Sequence, residues 1–184
     1  MNSAYRFSRF ALLLLGFLAI TTACKNDSNS STSGTAVGNS EKPLGHLLDR
    51  YLKAYPDELT AISQDPKDSL IRAAMKVYNA GNYEEAIALF PNSARSLEQA
   101  GYIQLYQGIS QLMANKGYDA FNTFQRIQAS MGKPFEISNW YLVMNYVGYN
   151  NVYEARQKLE KIVAEGKYPT EEAKALLKDL PKQK

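Results

Sequence analysis

Apolar residues recur along this chain at helical spacing. Leu44, Leu47, Leu48, Tyr51, Leu52 and Tyr55 fall at three- and four-residue intervals and predict one helix. Pro43 suits its first turn and Pro56 ends it, and residues 57–64 predict one short further turn around Leu59 and Ile62. Asp65-Pro66 then reads as a cap and first turn for a helix with Leu70, Ala73, Ala74 and Val77 on one face. Gly81 sits where a helix C-terminus favours positive φ. Asn82 with Glu85 forms a capping-box pattern before Ala86, Ile87 and Phe90, and Pro91 cuts that helix short. Ser96 with Gln99 caps a longer helix to Ala114, carrying Ile103, Leu105, Tyr106, Ile109, Leu112 and Met113. The next runs from Tyr118 to Ser130, with Ala120, Phe121, Phe124 and Ile127 inward and Gly132 as terminator. Pro134 opens a helix with Ile137, Trp140, Tyr141, Met144 and Tyr146. Asn151 with Glu154 repeats the capping pattern before Ala155, Leu159, Ile162 and Val163, and Gly166 stops that helix. A last helix after Thr170 puts Ala173, Leu176, Leu177 and Leu180 on one side. Lys174, Lys178 and Asp179 lie on the other, a polar face suited to the end of a stack.

The pattern repeats at longer range. Ala86 and Ala120 are 34 residues apart, as are Phe90 and Phe124, while Ala155 and Leu159 follow at a spacing of 35. Ala74, Gly108 and Val143 mark the same register on the preceding helices. Paired helices at this period are the signature of a helical solenoid, and the expected fold is all-α.

The stretch Val77 to Phe90, VYNAGNYEEAIALF, resembles the core of a tetratricopeptide repeat. Ala74, Val77, Gly81, Tyr83, Ala86 and Phe90 stand in that family's small, aromatic and turn positions, and Leu142, Tyr146, Ala155 and Leu159 match in the third unit. A small residue on each helix lets two backbones approach while large side chains fill the flanks. The middle unit is weakest, with Gln107 and Gln111 at positions expected to be apolar, beside a fitting Gly108, Ala120 and Phe124. A helix shifted slightly in the stack accounts for the glutamines. The resemblance implies a right-handed helical-hairpin solenoid of about three repeats, covering Pro66 to Ile162, with capping helices at both ends.

The resemblance also implies that the first helix of each pair lines a concave groove. By this register the groove candidates are Ile71, Met75 and Tyr78, then Tyr102, Leu105, Tyr106 and Ile109, then Ile137, Trp140, Tyr141 and Met144. Tyr, Trp and Met bury large areas, and Tyr and Trp keep one polar handle, which suits capture of a protein or peptide. Two other readings stand beside that one: the same residues as core between repeats, or as a groove filled by the chain's own first helix, residues 44–55.

The N-terminal segment departs from this pattern. Arg6 and Arg9 precede an apolar run from Phe10 to Ile20, and small residues Thr21-Thr22-Ala23 lead to Cys24, the only cysteine. The run is too short to span a bilayer, which takes about 20 apolar residues. It reads as a signal peptide over 1–23, with an ordinary cleaved signal peptide that leaves Cys24 as a free thiol and an uncleaved membrane anchor as the other readings. The cysteine at the expected cleavage point resembles the lipoprotein class, although Thr21 stands where the lipobox usually has Leu. That resemblance implies lipidation at Cys24 and a membrane partner. Lys25 stands where an inner-membrane retention signal would carry Asp, which favours the outer membrane. Residues 25–42 are Ser, Asn, Gly and Thr with almost no apolar side chains, a flexible tether of about 24 Å root-mean-square reach. Residues 43–184 hold the solenoid.

Charge and chemistry narrow the function further. The chain carries 21 basic and 18 acidic residues. Without Arg6 and Arg9 the balance is near neutral, which lacks the electrostatic footprint of a nucleic-acid binder. His46 is the only histidine, with no second His or Cys to share a metal. Glu84-Glu85 and Glu171-Glu172 sit in first turns, where carboxylates favour the helix dipole. No phosphate loop and no nucleophile–base pair is legible, so the expectation is a non-enzymatic protein without cofactor or metal. It is expected to bind a protein or peptide in the cell envelope, with a small-ligand or glycan-capturing lipoprotein as the alternative. Monomer and dimer both fit.

Overall fold

The structure, a computed structural model, describes residues 43–182. The signal peptide, Cys24 and the tether lie outside the described residues. Within them the chain is helical, and no residue is in a strand. The helices are α1 (Gly45–Tyr51), α2 (Leu59–Ile62), α3 (Ser69–Asn79), α4 (Tyr83–Leu89), α5 (Leu97–Met113), α6 (Gly117–Gln125), α7 (Lys133–Gly148), α8 (Val152–Glu165) and α9 (Thr170–Asp179). Short 3-10 turns at Pro66–Asp68 and Ala129–Met131 lead into α3 and towards α7.

From α3 onward each helix packs on the next, and α5 also touches α3 and α7, an arrangement consistent with a helical solenoid. The punctuation residues act largely as the sequence predicts. Gly81, Gly132 and Gly166 have φ of 80°, 69° and 62°. Ser96 accepts from the Gln99 amide, and Asn151 accepts from Glu154. Asn82 differs, since it makes no side-chain cap.

Close approach of α5 and α6 rests on Gly108. A Cβ placed there would lie 2.5 Å from the ring of Phe124. Ala74, Ala86, Ala120 and Ala155 are fully buried in the same stack. Apolar side chains occur all round α7, and Ile137, Trp140, Tyr141, Leu142, Val143, Met144 and Val147 are all buried. A helix that is apolar on every side belongs in an interior. Here α6, α8, α5 and α1 cover it.

Two expected elements are corrected. The first helix does not run to Pro56: it ends at Tyr51, and residues 52–58 belong to no helix or strand, beginning with extended backbone at Leu52 (φ −81°, ψ 106°) and ending with Glu58 in the helical region (φ −107°, ψ −16°). Pro56 disfavours helical geometry at Tyr55, and side chains of α3, α5 and α7 hold the main chain of this strap. On α3 the buried stripe is Ile71, Ala74, Met75 and Tyr78, while Leu70 is 58% exposed and Ala73 is exposed. The helix is rotated so that its groove-lining side meets the strap and the core. In addition, α6 stops at Gln125 rather than Ser130.

The last helix does more than cap. α9 packs on α8 and also on α1, and Asp179 accepts hydrogen bonds from Arg50 (2.7 Å) and Tyr51 (2.7 Å). The Gly108→Ala variant is expected to lose about 1–3 kcal/mol through overpacking against Phe124, measured by urea denaturation. Phe124→Leu in the same chain should recover part of that loss.

Candidate functional site: a tyrosine-lined face and its strap

All eleven residues expected to line a groove are buried. Four of them, Tyr78, Tyr102, Tyr106 and Tyr141, hydrogen-bond to residues of the chain's own strap. Of the readings open from sequence, the structure seats residues of the N-terminal segment on this face. The part in contact with the tyrosines is extended chain that follows α1.

The strap is held chiefly through its main chain. Tyr141 on α7 donates its hydroxyl to the Lys53 carbonyl at 2.8 Å. Tyr78 on α3 donates to the Tyr55 carbonyl at 3.0 Å. Tyr106 on α5 donates to the Pro56 carbonyl at 2.6 Å and accepts from the Glu58 amide at 2.8 Å. An extended segment with no neighbouring strand must pair its buried backbone groups with side chains, and these phenols do so from three helices. Their apolar rings fill the same space: Tyr78 meets Tyr106 edge-on at 5.1 Å, and Tyr102 stacks on Tyr106 at 6.2 Å.

Two strap side chains add specificity. The Tyr55 ring is buried against Tyr106 (6.3 Å) and Tyr168 (5.7 Å). The Glu58 carboxylate accepts from Lys133 Nζ (2.6 Å), Tyr102 (2.7 Å) and Tyr55 (3.0 Å). Burial acts to raise the Glu58 pKa, but the Lys133, Tyr102 and Tyr55 donors outweigh it and hold the carboxyl below its ordinary 4.5. Burial, with a smaller effect of Glu58, pushes the Tyr55 phenol up to about 12, and burial likewise raises Tyr78, Tyr102, Tyr106 and Tyr141.

Within the strap, the Asp57 carboxylate accepts from the Thr60 amide (2.9 Å) and from Asn79 on α3 (2.9 Å). A polar network then fixes the chain after α2. Arg95 and Gln99 both reach the buried Asp68, Gln99 also reaches Ser63, and Arg72 donates to the Ser63 and Asp65 carbonyls. Beside the α1 end of the strap, Tyr51, Trp140, Tyr168, Arg50 and Lys53 border a recess of about 290 Å³.

Glu58, Lys133 and Asp179 are the participants that sequence reasoning missed. The available signal was Tyr55-Pro56, which argues against continuing the first helix and leaves the residues after it free to bind in extended form. His46 is exposed, and no group of three or more His, Cys, Asp or Glu that could hold a metal occurs among the described residues. Gln111 is buried with its Oε1 unpaired, and Gln107 is half-buried. No helix among the described residues is long and apolar enough to cross a membrane. Comparison with family models, curated proteins and solved structures returned no match.

Tyr106→Phe leaves the Pro56 carbonyl and the Glu58 amide without their partner. It is expected to cost about 2 kcal/mol in urea denaturation, more than Tyr141→Phe, which releases one carbonyl. The pH dependence has two limbs. Glu58, with its lowered pKa, contributes stability above pH 4.5 that is lost as pH falls through its folded value. Tyr55, with its raised pKa, contributes stability below pH 10.0 that is lost as pH rises through about 12. Ultraviolet titration of the phenols should therefore show a buried class ionising only with loss of helical circular dichroism. Smooth titration of every tyrosine near pH 10.0 without loss of structure would contradict the burial of this face.

Proposed function

We propose that this protein is a lipid-anchored component of the bacterial cell envelope, a scaffold or assembly factor that works by protein–protein interaction. In this reading α3–α4, α5–α6 and α7–α8 are three tetratricopeptide-like hairpins of a right-handed solenoid, α1 and α9 cap it, and Cys24 carries the lipid. The observation that supports it best is the tyrosine face: hydroxyls from three successive hairpins hold an extended polypeptide by its main-chain carbonyls and one amide. Such chemistry is a way of binding polypeptide and gives no leverage on a reacting bond. The N-terminal basic and apolar segment, with Cys24 at its end, supports placement in the envelope, facing the outer membrane.

Capture of a small ligand or glycan ranks second. It calls for a cavity with converging polar groups, and the aromatic recess at Trp140 and Tyr168 holds only about 290 Å³, at the small end of the ~300–1,000 Å³ typical of ligand sites.

The test is crosslinked recovery of the full-length protein from native membranes, read by mass spectrometry, with Cys24→Ala as control. A stoichiometric protein partner, reduced when Cys24 is replaced and palmitate labelling is lost, is the expected result. Recovery of the chain alone would remove the scaffold reading in favour of self-association or ligand carriage.

A further inference from the structure

Within that proposed function, and resting on it, the geometry points to the strap as a removable occupant. We infer that the tyrosine face receives an extended segment of a partner protein carrying an aromatic residue followed, three positions later, by a carboxylate. Partner and strap exclude one another, so residues 52–58 act as a built-in competitor.

Three observations carry this. First, most of the strap's hydrogen bonds to the face use its main chain, at Lys53, Tyr55, Pro56 and Glu58. Any extended polypeptide in the same register offers the same carbonyls and amide. Second, the side-chain-specific contacts are few and of defined chemistry. The Tyr55 ring lies between Tyr106 and Tyr168, and the Glu58 carboxylate sits on Lys133 and Tyr102. Lys133 is half exposed, so an incoming carboxylate reaches it from solvent. Third, the strap is held at both ends and open to solvent between them. After α2, the Ser63, Asp68, Arg95 and Gln99 network fixes the chain. Before the strap, the 7-residue α1 has no side-chain cap and is held instead by Leu47, Leu48 and Tyr51 buried in the core, by packing on α7 and α9, and by Arg50 and Tyr51 on Asp179. Lys53, Ala54 and Pro56 are exposed, and the recess beside Tyr168 leaves space along the same end. A rival segment therefore reaches the strap from solvent along Lys53, Ala54 and Pro56, between two anchored ends. The helices beneath it keep their own contacts, α3 with α5 and α5 with α7.

A competitor in cis lowers the apparent affinity of any rival by the fraction of molecules in which the face is open. Weakening the strap without touching the face should raise that fraction. The probe is a fluorescein-labelled peptide with the sequence of residues 51–60, followed by anisotropy against the full chain. Glu58→Gln in the chain should bind it about tenfold more tightly than the unmodified chain, the gain being the rise in open fraction. The same peptide with Gln in place of its glutamate should lose most of that affinity. Equal binding by the unmodified chain and a Glu58→Gln chain that melts cooperatively with full helical content would overturn the inference.

Hydrogen exchange of the unmodified chain decides the matter if that variant does not fold. The Glu58 amide and the α1 amides should exchange through a local opening, at least about tenfold faster than amides inside α5 and α7. Exchange of all of these only with global unfolding would make the strap a permanent part of the core. Failure here together with a partner recovered from membranes would leave the scaffold reading in place and move its interface elsewhere. Failure of both would remove the two together.

Discussion

An extended chain inside a helical protein has to find partners for its backbone, and residues 52–58 find them in phenol hydroxyls. In a sheet the neighbouring strand would supply that pairing, and in a helix the next turn would do so. Here Tyr106 alone serves a carbonyl and an amide of the strap, and Tyr78 and Tyr141 each serve another carbonyl. Much of the architecture follows from keeping these hydroxyls in place. Their rings must be buried and packed on one another, so α3, α5 and α7 have to stand side by side, and short side chains behind them have to let the second helices close in. Gly108 under Phe124 is the clearest case, because the ring occupies the volume a Cβ would need.

The strap also changes what the two ends of the stack do. In an open array the first and last helices each need a polar outer face. In this chain α1 and α9 meet, joined by Arg50, Tyr51 and Asp179. The polar residues of α9 are thus partly spent on an internal contact. The apolar surface that α7 would otherwise show is covered by α1, and Trp140 meets Tyr51 edge-on at 6.5 Å. Among large side chains that reach solvent are Leu70 (58% exposed), Tyr118 (73%), Tyr149 (60%) and Tyr153 (53%), and Tyr168 (45%) does so while packing on Tyr55. The tyrosines therefore divide into Tyr78, Tyr106 and Tyr141, buried with hydroxyls that hold backbone, and the rest.

Electrostatics sharpens this division. The Glu58 carboxylate is ringed by a lysine and two phenols, while Asp68 is buried against Arg95 and Gln99. Both join distant segments and both cations stay partly solvated, Lys133 at 54% and Arg95 at 46% side-chain exposure, but the Asp68 carboxylate is buried (5%) where Glu58 is not (34%). An ion pair with a solvated partner is worth little by itself, and the neighbouring hydroxyls give Glu58 its hold. The buried Asp68 carboxylate is costly to leave unpaired.

Local chemistry made much of the architecture legible in the sequence. Helical spacing marked the helices, glycines marked the turns at Gly81, Gly132 and Gly166, and Ser96 and Asn151 marked caps, because each depends on residues within a few positions. The recurrence of Ala74, Ala86, Gly108, Ala120 and Ala155 indicated small residues that are buried in the stack, and the eleven groove candidates are buried as well. Only tertiary structure decided what covers them. Leu52 and Tyr55 continue a helical stripe in sequence, yet the chain leaves the helix there, and the Lys53 and Tyr55 carbonyls are held by hydroxyls from Tyr141 and Tyr78, far away in the chain. Leu70 fits an apolar stripe as well as Ile71 does, and the rotation of α3 that exposes one and buries the other is set by Tyr78 reaching the strap. Periodicity reports which faces are apolar, whereas the occupant of a face depends on contacts between segments far apart in the chain, and those leave no periodic trace.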